Sequence, residues 1–248
     1  MRNMLYNKIE GEGKIIVFLH GFLESSTMWD YLDLKQLNAK KIFIDLPGHG
    51  KSNVILPDSP SVSFMAVKVN ELLSNLTESE IMVVGHSMGG YVALELAKIN
   101  SNISKVILLN SNFWQDSSEK QKDRDRVVEI IKHAKDKFIQ EAIPNLFSFP
   151  ENHQQKINEI VNEAKSFTVD GISFATKAMR DRCDNSKWVM ENTSKIHIIQ
   201  GELDKTAPLD LMYEKLPKNV SISLIEGAGH MTHIEASNQV LEIISSFN

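Results

Sequence analysis

The run Ile81-Met82-Val83-Val84-Gly85-His86-Ser87-Met88-Gly89-Gly90 decides the fold. Its first four residues are apolar and partly β-branched, which predicts a short strand buried on both faces. Residues 91–97 have apolar side chains at helical spacing and predict a helix. Between them lies Gly-x-Ser-x-Gly, which predicts a strained turn with Ser87 at its apex. The stretch therefore indicates a nucleophilic serine, with the Met88 amide opening the helix beside it.

The composition is that of an ordinary globular protein and excludes several function classes. The chain has 248 residues, 42% of them hydrophobic, and a net charge of −5. Lysine and arginine are scattered, which argues against a nucleic-acid partner, and the run 120–126 interleaves acidic residues as a solvated helix face does. No apolar run reaches the length of a signal-peptide core or a membrane span. With a single cysteine, Cys183, we expect a cytoplasmic protein with no membrane partner.

Strand and helix patterns alternate along most of the chain. Strand patterns occur at 6–10, 14–19, 41–45, 81–84, 105–110, 196–200 and 220–225, and helical patterns at 61–76, 91–97, 209–216 and 239–247. This alternation predicts an α/β fold with a mostly parallel, twisted sheet flanked by helices.

One long segment breaks the alternation. Residues 112–190 are polar and show helical patterns at 124–140, 157–165 and 171–180, with no convincing strand. A helical insertion in an alternating chain is best interpreted as a cap over one edge of the sheet. We therefore expect a core formed by 1–111 and 191–248, with a helical cap (lid) at 112–190.

Chemically useful residues follow four of the predicted strands. They are His20-Gly21-Phe22, Ser87, Gly201-Glu202-Leu203-Asp204 and Gly227-Ala228-Gly229-His230. Catalytic groups in open parallel sheets gather at the carboxyl ends of the strands, so these residues are expected at one edge. A nucleophile, a carboxylate and an imidazole arrive there in the order Ser, Asp, His.

Over nearly its whole length the chain resembles the α/β-hydrolase fold superfamily. The resemblance rests on the motifs at 20–22, 45–52, 85–90, 201–204 and 227–230, taken in this order. It implies Ser87 as nucleophile, His230 as general base and then acid, and Asp204 as the group that orients His230. The backbone N–H groups of Phe22 and Met88 would form the oxyanion hole. The mechanism needs no cofactor or metal, and no pair of histidines has the spacing of a metal site.

Other residues compete for these roles and are less suitable. His233 is expected on a different face from His230, and His86 is expected to pack with a hydrogen bond. Asp45 precedes a Pro-Gly turn, which favours a turn-fixing role, and Asp210 lies on a predicted helix. The remaining loop histidines, His20 and His49, are expected to tie loops together.

The triad indicates acyl transfer to water and leaves the acyl group open. A small to medium carboxylic ester or a related acyl compound is the expected small-molecule substrate. Phe113, Trp114, Phe147 and Tyr91 are the candidate substrate-binding residues, although cap aromatics at these positions could equally pack between helices. The same residues would serve a thioesterase, lactonase, perhydrolase or carbon–carbon bond hydrolase. The sequence makes no prediction of oligomeric state.

Two alternatives belong to other classes. The chain also looks like the menaquinone-pathway 2-succinyl-6-hydroxy-2,4-cyclohexadiene-1-carboxylate synthase, a lyase that uses the same triad as a base. That family usually has an arginine four residues after the nucleophile, where this chain has Tyr91, so Arg180 and Arg182 become the candidate anion-binding residues. The other alternative is a ligand-binding receptor on a hydrolase fold, which the complete triad disfavours.

Overall fold

A computed structural model describes residues 4–74, 76 and 80–248. Its centre is a seven-stranded sheet of order β1-β3-β2-β4-β5-β6-β7, in which β1 pairs antiparallel with β3 and all other pairs are parallel. The strands are β1 Asn7–Glu10, β2 Ile15–Leu19, β3 Lys40–Ile44, β4 Ile81–His86, β5 Ile103–Leu109, β6 Ile196–Gly201 and β7 Ser221–Ile225. The mostly parallel α/β sheet predicted from the sequence is therefore confirmed.

The alternation of side chains along each strand builds two core layers, one on each face of the sheet. Val17, Val83 and Leu108 belong to one layer, which packs against α1 (Val62–Leu73) and α2 (Met88–Ile99). The neighbouring positions in the chain, such as Val84, belong to the other layer, which packs against α9 (Ser237–Ser245). Burial on both faces explains why these strands read as continuous apolar runs rather than as alternating ones.

Four helices lie in the chain between β5 and β6. They are α3 Ser118–Ala142, α4 Gln154–Lys165, α5 Val169–Arg180 and α6 Ser186–Glu191. Side chains of α3, α4 and α5 form a separate apolar cluster, and Leu23, Met231 and Ile234 from the segments that follow β2 and β7 also belong to it. This packing places the inserted helices over the strand ends, although the division into core and cap stays a prediction.

Several elements differ from their predicted form. Helix α3 is longer than predicted and bends at Ala134, whose backbone leaves the helical region at φ −141° and ψ 40°. Helix α6 and the short helix α8, Thr232–Glu235, were not predicted, whereas α7, Leu209–Lys215, was. Short polar segments carry little periodic signal, which explains the two omissions. Among the described residues, no helix is both long enough and apolar enough to cross a membrane.

Candidate active site

The turn between β4 and α2 holds Ser87 in a backbone conformation that L-residues rarely adopt. Its φ is 49° and its ψ is −113°. A side chain at Gly85 would overlap the carbonyl oxygen of Gly89, and one at Gly89 would overlap the carbonyl oxygen of Leu19. The two glycines therefore let the turn close tightly, and Ser87 is left as the partly exposed residue at its apex.

A continuous chain of hydrogen bonds joins three of the predicted site residues. Ser87 Oγ lies 2.9 Å from His230 Nε2, and His230 Nδ1 lies 2.8 Å from Asp204 Oδ2. The three residues follow β4, β7 and β6, whose carboxyl ends share one edge of the sheet. The structure thus brings together the serine, imidazole and carboxylate that the strand ends supply, in the geometry of a nucleophile, a base and an orienting group.

Asp204 is buried and remains ionised. Burial opposes its negative charge, but attraction to His230 and hydrogen bonds from His230, Asn110 and Ala207 outweigh this, so its pKa falls to about 2. The amides of Thr206 and Ala207 donate to Oδ1, at 2.8 and 3.1 Å, whereas Oδ2 accepts from the Asn110 and Gln200 side chains and faces the imidazole. An ionised Asp204 favours the His230 tautomer with its proton on Nδ1 and its lone pair on Nε2.

Two backbone amides beside Ser87 have no acceptor among the described residues. Met88 is the first residue of α2, so its N–H has no intrahelical partner. Phe22 lies in the loop after β2, between Gly21 and Leu23, whose amides bond to Glu24 and His49. The free N–H groups of Phe22 and Met88 are therefore available to a ligand.

A cavity of about 130 Å³ opens beside Ser87 and His230. Its walls come from the sheet-edge loops, from α2, and from the inserted helices, and comprise Phe22, Leu23, Glu24, His86, Tyr91, Arg124, Phe138, Ala142, Ile143, Leu146, Met179, Thr206 and Met231. Larger grooves lie elsewhere on the surface, including one of about 370 Å³ near Glu163, but Ser87 does not line that groove. The small cavity therefore adjoins the hydrogen-bonded Ser87 and His230.

The predicted substrate-binding residues divide between this cavity and the core. Tyr91 lines the cavity, as expected. Phe113, Trp114 and Phe147 do not line it and instead belong to apolar clusters, so their role in substrate binding stays a prediction that this cavity does not support. Their places on the wall are taken by Phe138 and Met179. Periodicity cannot separate a helix-packing aromatic residue from a cavity-lining one, since both are apolar.

Arg124 is a cavity residue that the sequence analysis missed. It was assigned to a solvated helix face, but it lines the cavity, and its Nε donates to Asp116 Oδ2 at 2.7 Å. The two arginines proposed from sequence as anion ligands do not line the cavity: Arg180 bonds to Asp125 and Asp181 at the surface, and Arg182 packs on the Tyr91 ring and pairs with Asp116. Alternating charges in a run do not reveal which one faces inward.

The sequence model for the alpha/beta hydrolase family matches residues 16–243. The chain belongs to this family. The match begins within β2 and spans the later strands, the turn at Ser87, and residues Asp204 and His230.

This alpha/beta hydrolase is similar to proteins of two different activities. It is 25% identical, over 97% of its own length and 96% of the relative's, to pimeloyl-[acyl-carrier protein] methyl ester esterase of Pseudoalteromonas atlantica (strain T6c). It is 24% identical, over 94% and 89% of the two chains, to a Bacillus subtilis (strain 168) protein with the provisional name 2-succinyl-6-hydroxy-2,4-cyclohexadiene-1-carboxylate synthase. Among solved structures, a thermophilic esterase from Thermogutta terrifontis superposes with a TM-score of 0.89 and 27% identity, covering 98% of this chain and 92% of that one.

The competing residues of this alpha/beta hydrolase hold the loops around the triad. Asp45 accepts the Ser26 and Lys51 amides, each at 2.7 Å, which fixes the loop after β3. Asp210 lies in the first turn of α7. Burial lowers the pKa of His49 to about 3, so this side chain is neutral, and its Nε2 accepts the Leu23 amide at 3.4 Å. The contacts of Asp45 and His49 therefore hold loops in place.

One buried group in the described part of this alpha/beta hydrolase has the composition of a metal site. Glu24, His86 and His233 offer ligand atoms within 4.8 Å of one another. His86 Nδ1 lies at hydrogen-bond distance from Glu24, and its Nε2 from the carbonyl of His230, so His86 has no free ring nitrogen. Neither ring nitrogen of His233 has a hydrogen-bond partner among the described residues.

Proposed function

We propose that this alpha/beta hydrolase is a serine esterase that cleaves small to medium carboxylic esters through an acyl-enzyme. The observation that carries the proposal is the chain of two hydrogen bonds from Ser87 through His230 to Asp204, beside a small cavity. A serine hydroxyl is a weak nucleophile at neutral pH, and an imidazole at 2.9 Å can accept its proton during attack. The esterase relatives support the same reaction class.

In the acylation step, Ser87 Oγ attacks the ester carbonyl carbon while its proton moves to His230 Nε2. The negative charge that develops on the carbonyl oxygen is stabilised by the N–H groups of Phe22 and Met88. Asp204 stabilises the imidazolium that forms. The tetrahedral intermediate then expels the alcohol, which takes the proton from His230, and the acyl group stays on Ser87.

In the deacylation step, a water molecule takes the place of the alcohol. His230 removes one proton as the water oxygen attacks the acyl carbon, and the same two amides hold the second oxyanion. Collapse returns the proton to Ser87 Oγ and releases the carboxylic acid. This cycle uses only side chains and amides of the chain, so the proposal includes no cofactor and no metal.

The size and lining of the cavity support a small acyl group. About 130 Å³ is below the usual range for drug-sized ligands, and Phe22, Phe138, Leu146 and Met179 supply apolar walls. Because Phe138, Leu146 and Met179 belong to the insertion, we propose that residues 112–190 act as a cap that closes over the substrate. The partner is therefore a small molecule, and the unpaired Cys183 supports action in a reducing cytoplasm.

A specific observation favours the lyase as the second candidate. Arg124 lines the cavity, and the buried Asp116 is shared by Arg124 and Arg182, which leaves an excess positive charge beside the site. A substrate with a carboxylate would complement that charge. In such a substrate, the Ser87–His230 pair would remove a carbon-bound proton instead of acylating Ser87. The relative in Bacillus subtilis supports this candidate.

Ester turnover tests the first proposal. We expect p-nitrophenyl esters from acetate to decanoate to be hydrolysed with a maximum at a short chain, and Ser87→Ala to lower kcat at least about a thousandfold. Wild-type activity in Ser87→Ala would refute the mechanism. If no ester is hydrolysed but a fluorophosphonate labels Ser87, the lyase becomes the better candidate. Absence of both would favour a ligand-binding role.

The same assay separates neutral from anionic substrates. Arg124→Met should lower kcat/KM for mono-p-nitrophenyl succinate about 10–100-fold more than for the acetate ester, since a charge-assisted hydrogen bond is lost. Arg126→Met is the matched control, because the Arg126 side chain is 71% exposed and, within the described part of the chain, pairs with Asp123 alone. Equal losses for the two esters would exclude Arg124 from carboxylate binding.

A further inference from the structure

A buried carboxylate–imidazole pair lies next to the triad and has no part in the chemistry above. Glu24 follows β2 and is 4% exposed, and His86 directly precedes Ser87 and is 1% exposed. Glu24 Oε2 is 2.8 Å from His86 Nδ1, and His86 Nε2 is 3.0 Å from the backbone oxygen of His230. Both ring nitrogens of His86 are therefore within hydrogen-bond distance of oxygen atoms.

The two contacts fix the number of protons on the pair. The carbonyl oxygen of His230 can only accept, so His86 Nε2 carries a proton. His86 Nδ1 and Glu24 Oε2 would face each other with lone pairs unless a second proton lies between them. The pair thus holds two protons, which corresponds to a negative Glu24 beside a positive His86.

The surroundings place the shared proton on His86. The Gly21 amide donates to Glu24 Oε2 at 3.0 Å, which favours the ionised carboxylate. Burial opposes both charges, but their mutual attraction lowers the pKa of Glu24 to about 2 and raises the pKa of His86. An ion pair in this geometry is fully hydrogen-bonded on the imidazole side.

The other ionisable groups that face the pair do not neutralise His86. His233 packs on it with ring centroids 4.9 Å apart, and burial together with the positive His86 lowers the pKa of His233 to about 3, so His233 is neutral. The ring of His230 lies 5.0 Å away. Other groups that interact electrostatically with the pair, or with His233 behind it, include Asp204, His20, His49, Tyr31 and Lys156.

The pair connects three parts of the site whose relative positions matter for catalysis: the loop with the Phe22 amide, His230 and Ser87. Through Gly21 it holds the residue before the Phe22 amide, through the backbone oxygen of His230 it holds the base, and His86 itself adjoins Ser87. A side chain at Gly21 would overlap the Glu24 carboxylate and would lie 2.6 Å from His86 Nδ1. Position 21 therefore has room only for glycine while the pair is in place.

We infer that Glu24 and His86 form a doubly protonated ion pair that positions His230 and the Phe22 amide relative to Ser87. The protonation state of His86 follows from the contacts alone, whereas its effect on catalysis rests on the proposed esterase function. Loss of the carboxylate charge makes His86 neutral, and a neutral imidazole can donate only one hydrogen bond. In Glu24→Gln, the contact to His230 or to residue 24 is then weakened, or the side-chain NH2 group at position 24 turns to His86 Nδ1 and no longer accepts the Gly21 amide.

Nitrogen-15 NMR of the histidine side chains of the full chain tests the protonation state without any substrate. The His86 signals are assigned in the wild type by through-bond correlation of the ring to the backbone of residue 86. At pH 7.5 an ordinary histidine is about 90% neutral, but we expect both nitrogens of His86 to be protonated in the wild type. In Glu24→Gln one nitrogen should lose its proton. Glu95→Gln is the matched control: Glu95 is 8% exposed, its partners are Ser63, Lys98 and Asn185, and its replacement should leave His86 unchanged.

A neutral His86 in the wild type at pH 7.5 would overturn the inference, and this result needs no variant that folds. It is also independent of the esterase proposal, because the measurement reads protons and not turnover.

Kinetics then test the positioning role. Glu24→Gln should lower kcat for p-nitrophenyl acetate about 10–100-fold and change KM less than about twofold. It should also move the alkaline limb of the pH dependence of kcat to lower pH. Glu24→Asp, which keeps the charge, should restore the position of that limb. A lower thermal midpoint with an unshifted pH profile would show that the pair only stabilises the fold, and would contradict the positioning role.

Discussion

At the scale of the single residue, the backbone conformation that exposes the Ser87 hydroxyl is a strained one. With φ at 49°, the position carries a conformational strain of about 1–3 kcal/mol for a residue with a side chain. Ser87→Gly removes both the hydroxyl and the strain, whereas Ser87→Ala removes only the hydroxyl. After the entropic cost of glycine, we expect Ser87→Gly to be about 1 kcal/mol more stable than Ser87→Ala in urea unfolding. Equal stabilities would mean that the turn is not strained.

At the scale of the element, the docking of α5 on the core depends on two facing glycines. Thr168 Oγ1 caps α5 by accepting the Gly171 amide at 3.0 Å, and a side chain at Gly171 would overlap the carbonyl oxygen of Gly48. Gly171→Ala should therefore push α5 outward, cost about 1–3 kcal/mol in urea unfolding, and raise KM because Met179 of α5 lines the cavity. Asp170→Ala, at an exposed position in the same turn, should change both quantities little. Unchanged stability in Gly171→Ala would contradict the close contact.

At the scale of the whole molecule, buried neutral histidines make the fold sensitive to acid. Burial lowers the pKa of His49 and of His233 to about 3 in the folded state, from 6.5. Below pH 6.5 the unfolded chain therefore binds protons that the folded chain does not, and the free energy of unfolding falls by up to about 1.4 kcal/mol per pH unit for each histidine. The lowered pKa values of Glu24 and Asp204, both about 2, extend the loss to lower pH. Urea unfolding between pH 7 and pH 5 measures this slope. His49→Gln should make it shallower, and a constant free energy over that range would contradict the argument.

The sequence by itself determined the features that depend on local chemistry. Continuous apolar runs specified buried parallel strands, the glycines around Ser87 specified the turn, and residues 201–204 and 227–230 brought Asp204 and His230 to the ends of β6 and β7. These signals are readable because strand periodicity and turn geometry act over only a few neighbouring residues.

Only the tertiary structure decided which side chains meet across long separations. The bend of α3 at Ala134, the inward position of Arg124, and the burial of Phe113 and Trp114 away from the cavity all depend on how the insertion packs on the sheet. The contact between Glu24 and His86 likewise joins residues 62 positions apart. Apolar or charged character alone does not encode such contacts, because the same side chain can pack in a core, line a cavity or face solvent, and the choice is made when distant elements come together.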